Sequence, residues 1–293
     1  MVQVITGVKN LDELTVRAYA KINLALDVLG RREDGYHEIR SVVQTIDLYD
    51  RIRLTLKQSQ AIELVCKGDG VPSGNTNLAY QAAQLLQERT HTLKGVRIEL
   101  EKNIPIAAGL GGGSADAAAV IKGLNVLWEL GLEKWEMLRL CEELGSDVPY
   151  CLLGGTALIQ GRGEVLTPLE PIDELWLVLV RPRISVSTQR VYQAWRDFAP
   201  GEPMVEQMLA AVQLGGSKTI AQSLGNMLEP VAFHMFPEIA KIKTMVSTGS
   251  LGALMSGSGP TVFGIMENED SAKKLHSLLE IHPWDVFVAR TVG

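Results

Sequence analysis

The sequence predicts a two-lobed α+β fold, with a mixed sheet and helices in the N-terminal lobe and an antiparallel sheet carrying helices on one face in the C-terminal lobe. Three observations carry that expectation. Apolar and polar residues alternate over Thr15 to Gly30, the period of a strand. A strand pattern, a glycine run and a helix pattern follow one another from Val96 to Leu130. The second half then orders a strand, several helices, two strands, a helix and a last strand, which suits helices layered on an antiparallel sheet. A chain of 293 residues, 46% of them hydrophobic, can fill two such cores.

Taken in order, Val16, Ala18, Ala20, Ile22, Leu24, Leu26 and Val28 form one face of the first long strand. Arg17, Tyr19, Lys21, Asn23 and Asp27 form the other, so Lys21 and Asn23 point the same way. The turn GRREDG leads to Tyr36 and His37, and two strands are expected at Ile39 to Asp47 and Asp50 to Lys57. Leu78 to Thr90 reads as a helix, as does Ala117 to Leu130. Glu133 to Leu144 places Trp135, Leu138, Cys141 and Leu144 on one helical stripe and stops at Gly145. The domain boundary is expected where GGTALIQGRGE loosens into glycine, dividing the chain into residues 1–160 and 161–293. Beyond it come a strand over Leu175 to Val180 and helices over Thr188 to Phe198, Ile220 to Phe236 and Glu238 to Ser247. Two strands around SGSG, a helix over Ser271 to Ile281 and a strand over Asp285 to Val292 complete the order.

The segment PIAAGLGGGSADAAA, Pro105 to Ala119, carries the chemistry. Glycines admit backbone conformations closed to other residues and let a ligand approach bare N–H groups. The helix that follows aims its first amides and the positive end of its dipole at that loop, which makes a phosphate the natural guest. A glycine run between strand and helix also serves as a plain connection. The loop is no Walker A element, since Ser114, Ala115 and Asp116 follow Gly113 where Lys and Ser or Thr are required. It fits a dinucleotide fingerprint poorly, because Ser114 takes the place of the third glycine and Glu129 lies inside a helical pattern. The signatures of protein kinases are missing as well.

Three segments in chain order, AKINLALDVLGRREDGYHEI, PIAAGLGGGSADAAA and LMSGSGPTVFGI, resemble the GHMP small-molecule kinases, and the likeness runs from about Arg17 to Phe263. With DGYH and GSDVP added, it narrows to the branch that phosphorylates the tertiary 2-hydroxyl of 4-diphosphocytidyl-2-C-methyl-D-erythritol in non-mevalonate isoprenoid synthesis. Tyr19 stands where that branch often has proline. The resemblance implies the two-lobed GHMP kinase fold, with ATP and Mg²⁺ as cofactors. It implies Asp147 as the catalytic base and Lys21 as the cation beside it. Read without the resemblance, Asp147 is a turn or N-cap carboxylate and Lys21 a solvated strand lysine.

On the nucleotide side the resemblance implies Pro105, Ile106, Ala107, Ala108, Gly109, Leu110, Gly111, Gly112, Gly113, Ser114 and Ala115, with Asn77 and Lys102 near base and ribose. The loop Ser256 to Gly259, otherwise a tight strand connection, is implied to lie beside the phosphates. For the cytidylyl substrate it implies Asn23, Tyr36, His37, Thr188 and Tyr192, the aromatic rings stacking on cytosine. Asp116 reads as a first-turn carboxylate favoured by the helix dipole. Asn226 and Glu229, at helical spacing before Pro230, read as helix-surface residues. A GHMP kinase acting on homoserine, mevalonate or a sugar is the nearest alternative, and a nucleotide-binding module without catalysis is a second.

Net charge −6 and a pI near 5.5 argue against nucleic-acid or anionic-membrane surfaces. Cys66, Cys141 and Cys151 lack CxxC spacing, so neither a disulfide scaffold nor a zinc site is expected. His91, His234, His276 and His282 show no metal spacing, and the ligands of Mg²⁺ are not legible. No signal peptide or membrane span is expected, and a cytoplasmic protein with a small-molecule substrate is the reading. The oligomeric state is not legible in the sequence.

Overall fold

From Glu13 to Arg31 the chain is one long strand, and the outward alternation lasts only to Ala20; from there to Val28 both faces are buried. The computed structural model describes residues 2–5 (backbone), 12–68, 70–195 and 202–293. In chain order the first half comprises β1 (Val2–Ile5), β2 (Glu13–Arg31), β3 (His37–Lys57), β4 (Ile62–Lys67), α1 (Leu78–Thr90), β5 (Gly95–Glu101), α2 (Gly112–Leu127), α3 (Lys134–Leu144) and α4 (Val148–Leu153). There follow β6 (Thr156–Gly161), β7 (Val165–Pro168), β8 (Trp176–Pro182), α5 (Thr188–Trp195), α6 (Val205–Leu214) and α7 (Ser217–Gln222). The chain ends with β9 (Gly225–Asn226), α8 (Glu229–Met235), α9 (Pro237–Thr248), β10 (Gly252–Met255), β11 (Val262–Met266), α10 (Glu269–Leu279) and β12 (Trp284–Arg290).

Contacts group the chain into two units that do not follow a single cut: residues 1–20, 48–106 and 111–154 form one, and residues 21–47, 107–110 and 155–293 the other. β2 and β3 contribute to both. In the first unit the strand order is β1-β2-β3-β5-β4, with β5 antiparallel to β3 from Arg51↔Glu101 to Lys57↔Gly95 and parallel to β4. Helices α1 and α2 pack on each other, burying Ala79, Ala82, Ala83 and Leu86 of α1. α2 is apolar almost all round because it lies in the core. Its Gly123 is required there: a Cβ would come 2.5 Å from Leu54 Cδ1 and 3.3 Å from Val16 Cγ1.

In the second unit β3 pairs antiparallel with β6 from Ile39↔Gly161 to Gln44↔Thr156, β6 with β7, and β2 runs parallel to β9. A separate four-stranded sheet in the order β10-β11-β8-β12 is antiparallel throughout. α9 and α10 pack against it. The α+β class therefore holds, with a mixed sheet early in the chain and an antiparallel one late. Among the described residues no helix is long and apolar enough to cross a membrane.

Several elements differ from the sequence reading. The two strands expected at Ile39 to Asp47 and Asp50 to Lys57 are the single strand β3, which runs on through Leu48 and Tyr49 to Asp50, a fully buried hydrogen-bond acceptor inside it. The helix expected over Ile220 to Phe236 is broken into α7, β9 and α8: Gly225 packs too tightly against Met204 for any side chain, and Asn226 pairs with Leu26 in β2. α2 starts at Gly112, five residues before the alanine run suggested, with Gly111 in a left-handed conformation as its N-cap. The glycine-rich stretch near residue 160 holds strand β6, and β4, β7, α4 and α6 carry too weak a pattern to be read locally. The helix expected over Thr188 to Phe198 is described as far as Trp195, its last residues lying outside the described ones.

Candidate active site

In the second unit, β2 brings Lys21 and Asn23 into the interior at 5% and 3% exposure. The Lys21 ammonium donates to Asn23 Oδ1 at 2.8 Å, while Asn23 Nδ2 donates to Ser41 Oγ at 2.8 Å, and Ser41 Oγ to the Ala25 carbonyl at 2.5 Å. A solvated face was the bottom-up expectation for Lys21; the strand is covered on both sides instead. Gly109 lies beside this pair through the chain crossing at Leu110, whose carbonyl accepts from Lys21 N at 3.0 Å. Ser256 Oγ donates to the Gly109 carbonyl at 2.9 Å and accepts from Asn23 N at 3.4 Å. Gly109 has φ +75°, and a Cβ there would overlap the Ser256 carbonyl. Ser258 pairs with Thr188 across 2.8 Å between their hydroxyls.

Two aromatic rings of this unit approach His37. Its ring lies 5.2 Å from that of Tyr192 and 6.0 Å from that of Trp195, the latter edge-on. Burial first, and the positive charge of Arg31 second, lower the His37 pKa, so the imidazole is neutral at pH 7 and offers one donor and one acceptor nitrogen. Tyr36 is exposed, with the Arg162 guanidinium 4.9 Å over its ring. Trp195 was missed by the sequence reading. It lies one helical turn after Tyr192 on α5, a spacing that could have found it.

In the first unit the loop opens onto α2. Gly111, with φ +68°, turns the chain into the helix, and Ala115 N closes the first turn on the Gly111 carbonyl at 2.9 Å. Gly112, Gly113 and Ser114 supply the first-turn positions, whose amides lack partners within a helix. Gly113 is exposed and Ser114 half-buried. Ala107 adopts φ +51°, a left-handed conformation unusual for a residue with a Cβ.

Lys102 occupies a closed electrostatic cluster. Its ammonium pairs with Asp50 and, at 2.8 Å, with Asp116 Oδ2, all three side chains being at most 8% exposed. Asp50 Oδ1 also accepts from Asn103 N at 2.6 Å and Ile104 N at 2.8 Å, which sets the turn between β5 and the glycine loop. Burial opposes the Lys102 charge, but Asp116 and Asp50 outweigh it and raise its pKa. Burial raises the Asp116 pKa well above the ordinary carboxylate range, partly offset by Lys102 and reinforced by Asp50. One ammonium neutralises one carboxylate. Asp50 holds two backbone amides in addition, so the proton settles on Asp116, whose Oδ1 has no hydrogen-bond partner. Asp116 is thus an interior group and not a dipole-facing surface residue.

Asn77 caps α1: its Oδ1 accepts from Ala79 N at 2.9 Å and its Nδ2 donates to the Pro72 carbonyl at 2.9 Å. Asp147 stands at the N-cap position of α4, half-buried, yet its carboxylate does not cap that helix. Asn226 and Glu229 overturn the helix-surface reading, for both are buried, at 7% and 8% exposure, and bonded to the 255–257 backbone. Polar residues three apart within the otherwise apolar GNMLEPV were the available signal. Among the described residues no cluster of three or more His, Cys, Asp or Glu side chains could hold a metal ion.

Comparison with known proteins gives these features a context. The family described as GHMP kinases N terminal domain matches residues 77–155, and that described as GHMP kinases C terminal matches residues 208–279. The chain is 46% identical over 282 residues to 4-diphosphocytidyl-2-C-methyl-D-erythritol kinase of Bacillus cytotoxicus, covering 96% of this chain and 98% of that protein. It is 44% identical over 281 residues to the kinase of the same name from Caldicellulosiruptor bescii, covering 95% and 98%. A crystal structure of 4-(cytidine 5'-diphospho)-2C-methyl-D-erythritol kinase superposes with a TM-score of 0.81 at 38% identity, over 95% of this chain and 99% of that one. A homoserine kinase from Cytophaga hutchinsonii shares the fold, with a TM-score of 0.72 at 19% identity over 98% of this chain and 97% of that one. This chain is a small-molecule kinase and belongs to the 4-diphosphocytidyl-2-C-methyl-D-erythritol kinase family of the GHMP kinases.

Proposed function

We propose that this kinase transfers the γ-phosphoryl group of ATP to the tertiary 2-hydroxyl of 4-diphosphocytidyl-2-C-methyl-D-erythritol, a step of non-mevalonate isoprenoid synthesis carried out in the cytoplasm. The observation that carries this choice of acceptor is the approach of His37 and Tyr192, a neutral imidazole and a phenol ring 5.2 Å apart. A pyrimidine needs a stacking face and edge-directed donors and acceptors, which homoserine or mevalonate would leave unused. The relatives' names support the same choice.

Phosphoryl transfer calls on the protein chiefly for alignment and charge stabilisation. In our reading Asp147 accepts the proton of the 2-hydroxyl, the freed oxygen bonds to the γ-phosphorus, and the bond to the β-phosphate oxygen breaks to release ADP. Lys21 stabilises the negative charge that gathers on the transferring group, held for that task by Asn23. The loop from Pro105 to Ala115, with its glycines and the first amides of α2, receives the phosphates of ATP, and Ser114 offers a hydroxyl to a phosphate oxygen or its metal. Mg²⁺, if bound there, would neutralise phosphate charge, and the Ser114 hydroxyl is the ligand this loop would offer it. Tyr36, His37, Thr188, Tyr192 and Asn23 hold the cytidylyl substrate. Asn77 and Lys102 support the nucleotide side through the frame, since their side chains are engaged within the protein.

The test is ADP formation with ATP and the cytidylyl alcohol, set against ATP with homoserine or mevalonate. ADP should appear with the cytidylyl alcohol alone. Lys21→Ala and Asp147→Asn should each lower kcat by about 10²-fold or more while ATP binding persists. Turnover near that of the unaltered enzyme in either variant removes that residue from the mechanism.

A further inference from the structure

Two buried polar residues that the reaction does not call on are bonded to the segment beside Lys21. Asn226 Nδ2 donates to the Met255 carbonyl at 2.8 Å and to the Gly257 carbonyl at 2.8 Å, straddling Ser256, while its Oδ1 accepts from Leu228 N at 2.9 Å. All the hydrogen-bonding capacity of the amide except one lone pair is thereby fixed. Glu229 Oε1 accepts from Met255 N at 2.9 Å, and its other oxygen is paired with Lys243. These are charge-assisted or doubled bonds in a buried setting, where each is strong and its loss expensive.

What they hold in place touches the reacting end of the unit. Ser256 Oγ donates to the Gly109 carbonyl and accepts from Asn23 N, and Thr261 N donates to the Ala108 carbonyl at 3.3 Å. A Cβ on Gly257 would sit 3.3 Å from Asn23 Oδ1 and 3.8 Å from Lys21 Nζ, so the loop backbone passes directly by the ammonium. Asn23 Oδ1 is the acceptor of that ammonium at 2.8 Å. Displacing the 255–257 backbone therefore moves a wall of the space in which Lys21 and Asn23 are set.

We propose that Asn226 and Glu229 are positioning residues for catalysis, fixing the 255–257 backbone so that Lys21, Asn23 and Gly109 keep their geometry. The proposal deepens the phosphoryl-transfer reading and rests on it for the role of Lys21. It predicts a larger effect on turnover than on substrate affinity, because neither residue reaches into the binding surfaces around His37.

The experiment compares Asn226→Asp, which keeps the shape and the acceptor for Leu228 N but sets one carboxylate oxygen against two carbonyls, with the pair Glu229→Gln and Glu229→Met. Steady-state kinetics are read beside amide hydrogen exchange of the 252–262 segment. Asn226→Asp and Glu229→Met should lower kcat about tenfold or more with each KM changing by a smaller factor than kcat, as misplacement of a catalytic group does. Exchange should rise in 252–262 and not in β8 or β12. Glu229→Gln retains an acceptor for Met255 N and should keep kcat within about threefold of the unaltered enzyme. The proposal falls if Asn226→Asp leaves kcat unchanged, if KM rises with kcat constant, if Glu229→Gln is as impaired as Glu229→Met, or if exchange in 252–262 stays put. Should Asn226→Asp not fold, the two Glu229 variants decide on the same criteria. An unaltered enzyme that forms no ADP with the cytidylyl alcohol would defeat the proposed function instead; the exchange comparison then decides whether these two side chains hold the loop.

Discussion

Replacing Lys102 with methionine removes the one cation shared by two interior carboxylates while keeping most of the volume of its stem. Asp50 is fully buried, Asp116 is 3% exposed, and each bonds the Lys102 ammonium. Deleting one partner of a buried ion pair costs about 3–5 kcal/mol, because the charge left behind has lost both water and partner. Here the remainder is unequal. Asp116 already holds the proton, so the charge left behind is that of Asp50, which retains Asn103 N and Ile104 N, and a loss near the lower bound, about 3 kcal/mol, is expected. Urea unfolding followed by tryptophan fluorescence measures it, since Trp128 is buried in the same unit. Adding Asp116→Asn to Lys102→Met should return about 1 kcal/mol or more, the coupling expected of side chains in direct contact. A loss under about 1 kcal/mol, the range of a solvent-exposed pair, would refute the reasoning. So would additivity in the double variant. If stability were unchanged and KM for ATP rose steeply, Lys102 would be spending its charge on the nucleotide and not on the frame.

Two further outcomes follow from the same geometry. Because the Asp116 pKa is raised in the folded state, the native protein holds a proton that the unfolded chain releases; stability therefore falls as pH rises from the ordinary carboxylate range through the folded pKa. Asp116→Asn abolishes that dependence, so its stability relative to the unaltered protein should increase with pH across this window, and urea unfolding at a series of pH values that gave a constant difference would contradict the assignment. His37→Ala removes the ring set against Tyr192 and Trp195, and with about 1–3 kcal/mol at stake per stacked base, KM for the cytidylyl substrate should rise about tenfold while KM for ATP changes little; equal rises would separate His37 from the pyrimidine.

The fold was legible wherever the local pattern and the final environment agree. β2, α1, α9 and α10 fall close to where alternation, helical spacing and caps put them, and the strand, glycine loop and helix around residue 110 needed no tertiary information to be recognised. The pattern failed where a residue's surroundings come from distant chain. Leu48 and Tyr49 look like a break between two strands, but β3 runs through them, and Asp50 beyond them accepts from backbone amides more than fifty positions away. GNMLEPV looks helical, but Met204 and β2 split it. β6 is a strand despite its flanking glycines because β3 offers it an edge.

By itself the sequence determined β2, α1, α9 and α10 and the succession of strand, glycine loop and helix around residue 110, since each depends on neighbours within a few residues. Only the tertiary structure decided that Lys21 and Asn23 are interior, that Asp116 shares its cation with Asp50, and that Asn226 and Glu229 bind the 255–257 backbone. Periodicity tells which side chains share a face; what covers that face, and therefore whether a charge there meets water or a partner, is set by segments far along the chain.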